Sequence, residues 1–149
     1  MSVPALLQNG FLPPGVHAAT LRDIVDHFGT TTPRRQVLAE RLEALLGAAR
    51  ATGKLQRAFL WGSFISNAPF PRDLDVFLLM QAGFDREFPH LPLPQQEVFD
   101  HERARLHFEA DIFWATEVIG IEELTTWLSV YQLSRELVPR GIVEVLWHD

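Results

Sequence analysis

The sequence has no cysteine, a single lysine, and fewer bases than acids. Without cysteine there is no disulfide framework, no thiolate nucleophile and no Cys-ligated zinc. Thirteen basic residues against 19 acidic ones give a formal net charge of −6. That balance argues against bulk binding to nucleic-acid phosphates. No apolar run approaches membrane length, so no membrane contact is expected. The first residues lack a positively charged region followed by an apolar core, so no signal peptide is expected and a cytoplasmic location is. There is no internal repeat and no low-complexity segment.

What is present points to a packed domain. At 149 residues, 47% of them hydrophobic, the chain reads as one domain, with residues 1–32 an irregular arm carrying a short helix and residues 33–149 the core. Twelve of the thirteen bases are Arg, which suits two-pronged phosphate contacts in a local patch. The most informative stretch is Leu60 to Leu79, LWGSFISNAPFPRDLDVFLL. Asp73 and Asp75, two apart on a strand, point to the same face. They open the run Val76–Leu79, apolar enough for burial on both faces. Two acids there are costly unless a cation lies between them. Gly62-Ser63 closes another apolar run, Ala58–Trp61. A glycine there permits a sharp turn and close approach to a ligand, and a following helical turn would aim N–H groups and the Ser63 hydroxyl at an anion. The short link places this turn and both acids at one end of adjacent strands. A phosphate-holding turn beside paired carboxylates is what metal-assisted nucleotidyl transfer needs.

Leu60-Trp61-Gly62-Ser63, nine residues, then Asp73-Leu74-Asp75-Val76 resembles the signature of the DNA polymerase beta-like nucleotidyltransferase superfamily. More closely, the chain resembles a group of small bacterial nucleotidyltransferase-like proteins. The likeness lies in Leu12-Pro13-Pro14-Gly15-Val16-His17, Gly62-Ser63-Phe64, Pro71-Arg72-Asp73-Leu74-Asp75-Val76 and Gly141-Ile142-Val143. It covers nearly the whole chain. A Lys is common in the link of that group where this chain has Asn67. The resemblance implies an α/β (α+β) fold of the polymerase beta-like kind, a small mixed sheet of about four strands flanked by helices.

The remaining segments follow local rules. Thr20 caps a short helix through Phe28, with Asp23 at its third position. His17 and His27 read as turn or surface residues, although the resemblance allows the arm to cross the site with Gly15 or His17 touching substrate. Thr32 and Pro33 start the main helix, which runs to about Ala51 with Val37, Leu38, Leu42, Leu45, Leu46 and Ala49 at helical spacing. Arg34 and Arg35 run against the helix dipole and read as a surface pair or an anion contact. Strands are expected over Lys54–Trp61, Asp73–Met80, Leu106–Trp114 and Ile142–Trp147, the last at the sheet edge. Helices are expected over Pro94–Arg105, with Val98 inward, and within Glu117–Leu133, where Ile121, Leu124, Trp127, Leu128 and Tyr131 are the apolar-periodic positions, and Arg135–Arg140 reads as a turn. Asn67–Arg72 is a proline-pinned link, and Gln81–Pro94 is a long connection that could shape a substrate site.

The superfamily takes a third carboxylate from the next core strand. Asp111 matches that position best, and Glu109 is its rival on the same face. Three carboxylates suit Mg²⁺ or Mn²⁺. The resemblance therefore implies Asp73, Asp75 and Asp111 as metal ligands and catalytic residues, with Gly62, Ser63, Asn67 and Arg72 toward the nucleotide. Arg72 reads equally well as a surface salt-bridge partner. The implied reaction moves a nucleotide from a nucleoside triphosphate to an acceptor that the sequence does not name: a protein, an RNA end or a small molecule. By analogy it extends to a toxin–antitoxin or phage-defence setting. The alternative is a catalytically silent module that binds a nucleotide or a partner.

Overall fold

The computed structural model describes residues 3–147. It is a mixed α/β architecture with a five-stranded mixed sheet in the order β1-β5-β2-β3-β4. The strands are β1 (Val16–Thr20), β2 (Leu55–Trp61), β3 (Leu74–Met80), β4 (Ala110–Thr116) and β5 (Ile142–Leu146). The helices are α1 (Leu21–Phe28), α2 (Pro33–Ala51), α3 (Phe84–Glu87), α4 (Leu93–Phe99), α5 (His101–Phe108) and α6 (Gly120–Tyr131). β2 pairs antiparallel with both β3 and β5, while β1–β5 and β3–β4 are parallel.

Strand alternation decides what each face carries. Ala58, Leu60, Val76, Leu78, Ala110 and Ile112 belong to the larger core, with residues of α1, α2, α3, α4 and α5. Phe59, Trp61, Phe77 and Leu79 point the other way and pack under α6 through Leu124 and Leu128. One face thus lies under five helices and the other under one. Asp75 and Asp111, by the same alternation, lie on the thinly covered face.

Several local expectations hold. The Thr20 and Thr32 hydroxyls accept from the Asp23 and Arg35 amides at 3.1 and 3.2 Å, capping α1 and α2. Val98 is fully buried. Others are corrected. The sheet has five strands, not about four, because Val16–Thr20, read as irregular, pairs along its whole length with β5. That pairing moves β5 off the expected edge to a place between β1 and β2. The expected strand Leu106–Trp114 begins only at Ala110: Leu106–Phe108 finish α5, and Glu109 ends it in a left-handed conformation with φ 52°. The expected helix Pro94–Arg105 breaks at Asp100, whose side chain caps a new helix by accepting from the Arg103 amide. Val37 and Ile121 are exposed, not inward.

Candidate metal and phosphate site

β2 ends at Trp61, and Gly62 turns the chain with φ 88° and ψ −160°, a conformation open essentially to glycine alone. A Cβ on Gly62 would overlap the Asp75 carboxylate, so this glycine also makes room for that side chain. A single 3₁₀ turn, Ser63–Ile65, follows. The link then runs back to Asp73, just before β3, and Asp75 sits opposite Trp61 in the antiparallel ladder. In the parallel β3–β4 ladder Asp75 is level with Asp111. Asp73, two residues before Asp75, shares its face. One carboxylate oxygen from each of the three lies within 4.8 Å of the others.

The sequence-expected trio is therefore brought together, and Glu109 is not part of it. Glu109 turns to α2, pairing with Arg34 at 2.9 Å and lying 3.8 Å from Arg41. Arg34 also donates to the carbonyls of Pro71 and Arg72 at 3.0 and 2.5 Å, tying the start of α2 to the residues that lead into the aspartates.

The trio is electrostatically unbalanced. Burial, then repulsion from Asp73 and Asp111, pushes the Asp75 carboxyl up to about 7, with Arg140 and Arg135 opposing. Burial and Asp111 also raise Asp73, against Arg105, Arg72 and Arg135. Arg105 of α5 contacts the Asp111 carboxylate and lies 3.9 Å from Asp73. His101 Nε2 lies 3.7 Å from Asp111. The surrounding guanidiniums do not cancel burial and mutual repulsion, since Asp73 and Asp75 remain raised. An all-oxygen donor set with surplus negative charge fits a hard divalent cation such as Mg²⁺ or Mn²⁺.

Gly62, Ser63, Asn67 and Arg72 line the same cavity as the three aspartates, of about 670 Å³. That is within the range of small-molecule sites. Ser63 Oγ accepts from the Arg72 amide at 3.3 Å. The Arg72 side chain is exposed and makes no hydrogen bond or ion pair among the described residues. The N-terminal arm does reach the site, through Asn9 and Phe11 and not through Gly15 or His17. Gly10 fits against the Asn67 side chain, where a Cβ would clash, and its carbonyl accepts from the Asn67 amide at 3.1 Å. His17 instead donates to the Pro13 carbonyl at 2.6 Å.

Sequence reasoning missed Arg35. It is neither a surface residue nor an anion contact: it is 3% exposed. Its guanidinium donates to the carbonyls of Phe28, Phe64, Ser66 and Ala68 at 2.6–3.0 Å and reaches that of Ser63 at 3.4 Å. An irregular link cannot satisfy its own carbonyls, and this one side chain does so for much of it. Burial lowers the Arg35 pKa, but an arginine keeps its charge there. The missed residues Arg105, Arg135 and Arg140 also line the cavity.

No curated protein and no solved structure matches the chain. One family model does, over residues 4–146, which include every residue named at the site. By that match the chain belongs to a family of unknown function, DUF6932.

Proposed function

We propose that the protein is a metal-dependent nucleotidyltransferase built on a polymerase beta-like core. The observation that carries this reading is the convergence of Asp73, Asp75 and Asp111 within 4.8 Å on adjacent strands, in one cavity with the Gly62-Ser63 turn. Asp73 and Asp75 would hold the ion that accompanies the nucleotide, and Asp111 would complete its ligand set. Bound there, Mg²⁺ or Mn²⁺ would supply charge neutralisation for the transferred phosphoryl group and the departing pyrophosphate. The Ser63 hydroxyl would donate to a phosphate oxygen, and Arg72 would pair with another. Asp111 would hold the acceptor hydroxyl and take its proton. The acceptor oxygen bonds to the α-phosphorus as the α–β phosphoanhydride bond breaks, and pyrophosphate carries away that electron pair.

The test has two arms. In a thermal-shift scan, nucleoside triphosphates should stabilise the protein with Mg²⁺ or Mn²⁺ and not without, and Asp75→Asn should abolish the shift. Incubation with labelled nucleoside triphosphates, metal and host lysate should then label an RNA, protein or metabolite. Equal protection without metal, or no label transferred to anything, would remove the enzymatic reading and leave a silent binding module.

A further inference from the structure

The loop between α6 and β5 carries chemistry that the aspartates and the glycine turn do not use. It is a closed structure: the Ser134 amide donates to the Val138 carbonyl at 2.9 Å, Leu137 donates back to Ser134 at 2.9 Å, and the Ser134 hydroxyl accepts from Val138 at 3.1 Å. Leu137 has φ 62°, the left-handed turn that closes it. Its base is fixed by Arg140 N–H to the Gln132 carbonyl and Gly141 N–H to the Leu12 carbonyl, at 2.8 and 2.9 Å. Gly141 admits no Cβ, because the Pro13 carbonyl fills that space.

Two arginines leave this loop for the cavity. The β2–β5 register sets Phe59 opposite Glu144 and Leu60 opposite Val143. Arg140 lies two residues before β5, at the same end of the sheet as the Gly62 turn that ends β2. Arg140 and Arg135 both line the cavity with Ser63, Arg72 and the aspartates. The Arg140 Nε is committed to the Tyr131 carbonyl at 3.0 Å, which fixes the direction of its guanidinium. Its two terminal nitrogens and the whole Arg135 side chain have no hydrogen bond or ion pair among the described residues. Asp75 and, more weakly, Glu136, the fourth acid of the lining, act on Arg140, but neither makes an ion pair with it among the described residues. Two arginines at one cavity wall with unspent donors, one of them fixed by its Nε, match the oxygens of a phosphate chain.

We propose that Arg135 and Arg140, with Arg72, form a grip for the β- and γ-phosphates of the substrate. The grip makes the site selective for a polyphosphate over a monophosphate, and it rests on the nucleotidyltransferase reading. Ser63 and the aspartates then handle the reacting α-phosphate, while the loop holds the pyrophosphate that will leave.

Inorganic tripolyphosphate, titrated calorimetrically into Mn²⁺-saturated protein, separates this inference from the reading beneath it. Arg135→Glu should weaken tripolyphosphate and ATP about tenfold or more, leave AMP almost unchanged, and leave the separate Mn²⁺ titration no weaker than in the wild type, since it removes a positive charge that acts on Asp73 and Asp75. Arg135→Lys should restore most of the loss. Arg140→Ala should act like Arg135→Glu, its fold checked by far-UV circular dichroism because it also loses the Tyr131 bond. Tripolyphosphate affinity within about twofold of wild type in both Arg135→Glu and Arg140→Ala would overturn the grip. If Asp75→Asn still lost nucleotide, the broader reading would survive that result. Wild-type protein that binds Mn²⁺ but neither tripolyphosphate nor ATP would overturn both.

Discussion

At the scale of single residues, the site is defined by which atoms have no room and which charges have no partner. Gly62 occupies a conformation that costs other residues about 1–3 kcal/mol, and any side chain there collides with Asp75. Gly62→Ala should therefore lower the melting temperature and also weaken Mn²⁺ binding. A variant that loses stability yet binds Mn²⁺ as the wild type does would show that the Asp75 carboxylate is free to move aside. Arg105 is the cation nearest the trio, touching Asp111 and approaching Asp73. It competes for the oxygens a metal ion would use. Arg105→Ala should raise Mn²⁺ affinity several-fold in a direct titration, and a fall would mean that the guanidinium orients the carboxylates.

At the scale of elements, helix α2 and the Gly62–Asp73 link are one unit joined by side chains of the first helical turn. Arg34 holds the end of the link and Arg35 its beginning. Removing Arg35 orphans several buried carbonyls together. Arg35→Ala should cost about 3–5 kcal/mol in chemical denaturation, and Arg35→Lys should recover only part of it, since an ammonium cannot reproduce the guanidinium fork. A loss under about 1 kcal/mol would mean that water replaces those donors. This unit also marks where the sequence stops being readable. Gly62, Ser63, Asp73 and Asp75 announce themselves because strand period and turn chemistry are local. Asp111 is legible from its place in an alternating segment together with the family resemblance. Arg35 is not: helical periodicity sets it among the charged outer residues, and all but one of the carbonyls it serves lie 28 to 33 positions away. Arg135 and Arg140 fall in a turn with no periodicity at all. β1 was missed for a related reason, since its partner β5 is at the other end of the chain. The alternating pattern points to a β4 start four residues early because the last turn of α5 happens to continue the alternation of β4.

At the scale of the whole molecule, the acidic cluster couples folding to pH. The Asp75 carboxyl ionises near 3.8 in an unfolded chain and at about 7 in the folded one. Below about pH 4 it is protonated in both states and contributes nothing. Between about pH 4 and 7 the folded state holds the extra proton, so stability falls as pH rises and levels off above 7. At roughly 1.4 kcal/mol per unit, the loss is at most about 4 kcal/mol. Metal-free Asp75→Asn should therefore melt higher than the wild type at pH 8 and close to it at pH 4. Calorimetric melting curves at the two pH values would check this, and identical curves at pH 8 would mean that the cluster is not strained. A bound divalent ion should reverse the trend, adding about 2.7 kcal/mol at a hundred times its Kd. Among the described residues no helix is long and apolar enough to cross a membrane.

The three carboxylates come from two strands separated by the crossover through α3, α4 and α5, and β4 is the last strand of the sheet, hydrogen-bonded only to β3. An ion shared by Asp73, Asp75 and Asp111 would thus rivet the outermost strand to its neighbour. Chelation would do more than silence chemistry: it would let that margin fray, so that β4 amides trade their hydrogens with solvent sooner than those of β2 in the sheet interior.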